Sequence, residues 1–156
     1  MKLKLIAVGT RMPNWVSEAY QDYATRMPAD CALELVEIPL APRTRKADTK
    51  RCSEIEGERV IKAAASCSTR ILLDESGAPW STSKLAAQME QWRSGGGDVA
   101  LLVGGPDGHG AAVRALAQQS WCLSALTLPH AMVRVLLAEA LYRAWSVLAN
   151  HPYHRA

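Results

Sequence analysis

Five short apolar runs alternate with five stretches of helical periodicity along this chain. That order leaves few architectures open. Each helix must carry the chain back before the next strand, so the expected fold class is α/β, a mostly parallel sheet with helices on both faces. The strand-like runs are Lys2 to Val8, Leu33 to Ile38, Arg70 to Asp74, Val99 to Val103 and Trp121 to Leu126. Val99 to Val103 is apolar throughout, as a strand covered on both faces should be.

The helical stretches fill the gaps. The first runs from Asn14, a candidate N-cap, until Pro28 stops it. The second starts at Asp48 or at Ser53, where Ser53 and Glu56 match a capping box, and ends near Ala65. The third spans Thr82 to Arg93 and is closed by Gly95-Gly96-Gly97. The fourth follows the turn Gly104-Gly105-Pro106-Asp107-Gly108 and ends near Gln118. The fifth opens at Pro129 or His130 and runs to about Asn150. Glu75 to Trp80 reads as a turn, and residues 151–156 as a short tail.

The chain has 156 residues, enough for one compact domain, and its 49% hydrophobic and 21% charged content is that of a globular protein. No apolar run is long enough to cross a bilayer, and the start alternates like a strand rather than a signal peptide. A soluble, cytoplasmic protein is expected. Cysteines stand at 31, 52, 67 and 122. That spacing forms no zinc or redox pair, so reduced thiols are expected. The net charge of +3 admits a polyanionic partner where the charge clusters.

Several groupings have both a plain and a functional reading. Gly104 and Gly105 end an apolar strand, where bare backbone can approach a ligand closely. The turn matches neither GxGxxG nor the phosphate-binding P-loop pattern, and by itself it also reads as a tight strand-to-helix turn. Leu123 to Leu128 holds Ser124 and Thr127 among apolar residues. It reads either as an edge strand or as a pocket wall for an adenine-like ring. Arg43, Arg45, Lys46, Lys50 and Arg51 form either a solvated loop or a phosphate-contacting patch.

The last helix carries a core stripe from Val133 to Leu148 and a second face with Arg134, Glu139, Tyr142, Arg143 and Trp145. Tyr142 and Trp145 are costly to leave in water, so this face is expected to meet a second subunit. Glu139 and Arg143, four apart, can pair. His151 and His154 lack acidic or cysteine neighbours, so no metal site is expected. Tyr153 with His154 and Arg155 is either a frayed end or a grip for a flipped base and its phosphates.

Four segments carry a resemblance: KLKLIAVGTRMP, LDESGAPWSTSKLAAQ, DVALLVGGPDG and LSALTLPHAMVRVLLAEALYRAWSVLANHPYHR. In these the chain resembles, end to end, the RlmH family of the SPOUT superfamily. These are methyltransferases that modify N3 of a pseudouridine in a stem-loop of large-subunit (23S) ribosomal RNA. The resemblance implies a single domain over 1–156 with a C-terminal trefoil knot in about 70–156. An unaided reading gives an open flavodoxin-like sheet instead. It also implies a homodimer, bent S-adenosylmethionine as cofactor, assembled ribosomes as substrate and no separate RNA-binding domain.

By motif, the implied cofactor residues are Leu73, Gly104, Gly105, Leu123, Ser124, Ala125, Leu126, Thr127 and Leu128. Beside the cofactor in the dimer, the candidates are His130, Glu139, Arg143, Tyr153, His154 and Arg155. His154 and Arg155 would bind and orient RNA, and Arg143 would make a further phosphate or carbonyl contact. His154, then Glu139, would take the N3 proton. His109-Gly110-Ala111 departs from the usual continuation of the glycine turn. The alternatives are a cofactor-free RNA-binding module and a SPOUT methyltransferase acting on transfer RNA.

Overall fold

The computed structural model describes residues 1–44, 46 and 48–155. Five strands, β1 (Lys2–Val8), β2 (Ala32–Ile38), β3 (Thr69–Pro79), β4 (Val99–Val103) and β5 (Gln119–Cys122), form one sheet in the order β2-β1-β4-β3-β5. Every neighbouring pair is parallel. The helices are α1 (Asn14–Ala24), α2 (Thr49–Ala63), α3 (Thr82–Gly95), α4 (Ala111–Leu116) and α5 (His130–Leu148).

Strand parity sorts the core into two layers. Leu3, Leu5 and Ala7 of β1 and Val99, Leu101 and Val103 of β4 pack with α1, α3 and α5. Ile6, Val8, Ala100 and Leu102, one residue out of phase, pack with α2 and α4. Successive side chains on a strand point to opposite faces, so a strand covered on both must be apolar at every position.

Helix ends follow local chemistry. Asp48, not Ser53, caps α2, its side chain accepting from the Lys50 amide at 3.0 Å. Ser53 lies inside the helix, and Glu56 is committed elsewhere. Asn14 is the first residue of α1 rather than its cap, which is Pro13. α5 stops at a left-handed Asn150, with the His151 amide on the Ser146 carbonyl at 2.8 Å and Asn150 on Val147 at 3.3 Å. This is the paired closure that satisfies a helix's last carbonyls.

Two strand expectations are corrected. β5 ends at Cys122 rather than Leu126, and Leu123 to Pro129 is loop. Glu75 to Trp80 is not a simple turn, because β3 continues to Pro79. Trp121 pairs with Leu73 and again with Ala78, so residues 74–77 bulge out of the ladder. Gly77 permits this. A Cβ there would lie 2.7 Å from the β5 backbone at Ser120 and Trp121.

The tail is not frayed. Residues Pro152–Arg155 form a 3-10 turn docked on α5. The Tyr153 ring lies 4.7 Å from Tyr142, and its hydroxyl donates to Glu139 Oε1 at 3.0 Å. Tyr142 is only 5% exposed, covered by Tyr23, Tyr153 and His151 of its own chain. Its burial therefore calls for no second subunit, contrary to the reason given above. Among the described residues, no helix is long and apolar enough to cross a membrane.

Candidate functional site

In a parallel sheet, strand carboxyl ends and the loops that leave them form the natural crevice. Here a cavity of about 670 Å³ opens at that edge. β1 and the loop after it contribute Val8, Gly9 and Met12, and Leu40 follows β2. β3 and its bulge contribute Leu73, Asp74 and Glu75. The end of β4 and the turn after it contribute Val103 to Pro106, Gly108 and His109. The end of β5 and its loop contribute Cys122 to Ser124, Leu126 and Leu128, and α5 adds His130 and Val133.

The structure thus brings together Leu73, Gly104, Gly105, Leu123, Ser124, Leu126, Leu128 and His130. Ala125 and Thr127 sit in the same loop but are not among the lining residues. Glu139, Arg143, Tyr153, His154 and Arg155 do not line the cavity of the protomer either.

Two imidazoles staple the loops to one another. His109 Nε2 donates to the Leu73 carbonyl at 3.2 Å, joining the glycine turn to β3. His130 Nδ1 lies 3.2 Å from the Gly104 carbonyl, and Arg134 Nε donates to His130 Nε2 at 3.0 Å. Since Nε2 accepts, the His130 proton resides on Nδ1 and is given to Gly104. Both ring nitrogens are used, so His130 holds the turn and has no free lone pair for a substrate.

Burial is the main cause that lowers both imidazole pKa values from 6.5. Arg134 adds to it at His130, and Arg114 at His109. A lowered folded value means the stabilisation is complete above about 6.5 and is lost as pH falls through the folded values. Thermal melting should therefore show stability dropping as pH falls below about 6.5, with a shallower drop in His130→Gln. Equal slopes in the two proteins would refute this account of His130.

Arg134 is 2% exposed and makes three contacts: His130, Glu37 Oε2 at 2.7 Å and the Gly9 carbonyl at 2.6 Å. The sequence placed it on a helix face awaiting a partner, but in the fold it is an interior hub behind the cavity. Arg43 is likewise no free phosphate contact. Its guanidinium binds Glu56 through both Nη atoms at 2.9 Å and Asp107 Oδ2 at 2.9 and 3.1 Å. It ties the proline loop and α2 to the glycine turn. Lys46, Lys50 and Arg51 are exposed, and Arg45 lies outside the described residues.

At the far side of α5, Glu139 Oε1 receives Arg143 Nε at 2.8 Å, Arg143 Nη2 at 2.7 Å and the Tyr153 hydroxyl. All three donors fall on one oxygen of the carboxylate. His154 differs, since its Nδ1 is buried and finds no partner among the described residues.

Reading the sequence missed Gly9, Asp74, Glu75, His109 and Arg134. Gly9 carried a usable signal, a glycine directly after an apolar strand, as at Gly104. Its φ of +122° explains the residue type. Arg134 also carried one, four residues after His130 within an apolar helix.

A family model described as "Predicted SPOUT methyltransferase" matches residues 1–154. The fold is similar to that of a probable methylase family protein from Haemophilus influenzae Rd KW20 (TM-score 0.58, 16% identity, 97% of this chain and 68% of that one). It is also similar to a probable methyltransferase from Bordetella pertussis Tohama I (TM-score 0.57, 19% identity, 91% and 95%). TrmJ from Z. mobilis ZM4 gives a TM-score of 0.51 at 14% identity, over 92% and 69%. At such identities these likenesses concern the fold.

Proposed function

This chain belongs to the SPOUT methyltransferase family, and on that premise we propose that it uses S-adenosylmethionine to methylate N3 of a pseudouridine in large-subunit ribosomal RNA. The observation that carries the cofactor reading is the cavity at the sheet's carboxyl edge, walled by the backbone of three stapled loops. Its size suits one small ligand. Leu73, Leu123, Leu126 and Leu128 offer an apolar wall to an adenine ring. Gly104 and Gly105 bring bare backbone alongside it. The pseudouridine target, the ribosome as substrate, a cytoplasmic homodimer and the knot are parts of this proposal that rest on the resemblance in sequence.

When bound, S-adenosylmethionine would supply a sulfonium methyl. The remaining tasks fall to side chains. A pseudouridine N3 is a neutral imide N–H and must lose its proton as the methyl arrives, so a positioned acceptor is needed. We assign that role first to His154 and second to Glu139, the order that follows from the resemblance in sequence. Arg155 and Arg143 are assigned to phosphate or carbonyl contacts that orient the RNA. Arg143 also lies over the Tyr153 ring, 5.0 Å from its centre, which couples it to the tail. Leu126, 74% exposed at the cavity rim, is available to a partner subunit.

Tritiated methyl transfer tests the assignment with assembled ribosomes, free ribosomal RNA and transfer RNA as acceptors. Label on one pseudouridine of ribosomal RNA is the expected result, and label only on transfer RNA would overturn it. Gly105 offers a separate check of the cofactor site. A Cβ there would meet Val8 Cγ1 at 2.9 Å and Glu56 Oε1 at 3.3 Å, so either the Val8 side chain or the turn must shift. Gly105→Val should weaken S-adenosylmethionine binding at least tenfold, about 1.4 kcal/mol. Calorimetry showing an unchanged affinity would argue against this turn as part of the site.

A further inference from the structure

The charges around the cavity are unevenly balanced. Among the described residues its lining holds two carboxylates, Asp74 and Glu75, two imidazoles and no lysine or arginine. The imidazoles are neutral near pH 7, for the reasons given above. Asp74 is neutralised by Arg114, whose Nη1 and Nη2 donate to it at 3.0 and 3.3 Å. Glu75 is next to it in the bulge of β3, exposed to solvent at the cavity wall. It makes no ion pair or hydrogen bond among the described residues. One uncompensated negative charge therefore borders the site.

We propose that Glu75 is a specificity-determining residue. Its carboxylate makes the cavity hold a positively charged occupant, the sulfonium donor, more tightly than the neutral thioether that remains after transfer. This rests on reading the cavity as the methyl-donor site. In the transfer, the methyl carbon–sulfur bond breaks with its electron pair left on sulfur. The acceptor nitrogen bonds the methyl carbon, and that nitrogen's proton passes to the proton acceptor and then to solvent. The molecule in the cavity loses one unit of positive charge, and with it the attraction to Glu75.

The test is calorimetric binding of S-adenosylmethionine and S-adenosylhomocysteine to the full chain. At low salt a partly solvated charge pair is worth about a fourfold difference in affinity, and screening reduces it. Glu75→Gln should lower the affinity for S-adenosylmethionine about fourfold while that for S-adenosylhomocysteine changes little. Glu75→Asp should keep the wild-type ratio. Raising salt should shrink the ratio in the wild type and leave it flat in Glu75→Gln. An unchanged ratio in Glu75→Gln, with both ligands binding the wild type, would overturn the role of Glu75. A wild-type protein that binds neither ligand would instead overturn the cavity reading, and this proposal with it.

Discussion

Replacing Arg134 with methionine should cost about 3 kcal/mol of stability. Methionine keeps much of the side chain's volume, so the loss is of hydrogen bonds rather than packing. The Gly9 carbonyl, His130 Nε2 and Glu37 would all lose a charged donor. Gly9 is buried and the imidazole half-buried. Glu37 is 36% exposed and can turn to water, which keeps the cost toward the lower end for a broken buried pair. For a chain of this size that corresponds to a fall in melting temperature of about 6–12 °C. Cofactor affinity should fall as well, because Gly9 and His130 both line the cavity. Urea denaturation of the two proteins measures the first effect and calorimetry the second. A methionine variant within about 0.5 kcal/mol of wild type would show that the hub stabilises nothing.

Removing residues 153–156 should reduce methyl transfer by at least about a hundredfold while cofactor affinity stays within about twofold. None of Tyr153, His154 and Arg155 lines the cavity, so the pocket itself should survive. Tyr142 would lose its Tyr153 cover and Glu139 one of its three donors, so the truncated chain should also be less stable. Two point variants separate that loss from the chemistry. His154→Ala and Arg155→Ala leave Tyr153 docked, and each should still lose most of the activity at a normal melting temperature. A truncated protein that methylates at the wild-type rate would remove the tail from the mechanism.

The parts of the site legible in the sequence were those marked by backbone chemistry. Gly104 and Gly105 announce a bare turn after an apolar strand, and the loop from Leu123 has the composition of a pocket wall. The proton on His130 was not legible. It depends on Arg134 donating from one side and on Gly104 accepting on the other, 26 residues away along the chain. Nor was the bulge at 74–77, since the residues before and after it pair with the same short strand and the pattern of neither reveals the other.

Apolar spacing alone determined the order of strands and helices, the burial of the central strands on both faces, and the position of the glycine turn. These are set by contacts within a few residues or by the parity of a single strand. Only the tertiary structure decided what the charges do. Arg43 meets Asp107 across 64 residues, and Arg134 meets Glu37 and Gly9 across 97 and 125. An arginine's letter is the same whether its guanidinium faces water or an interior carbonyl, and the partner that decides between them arrives only when distant segments pack.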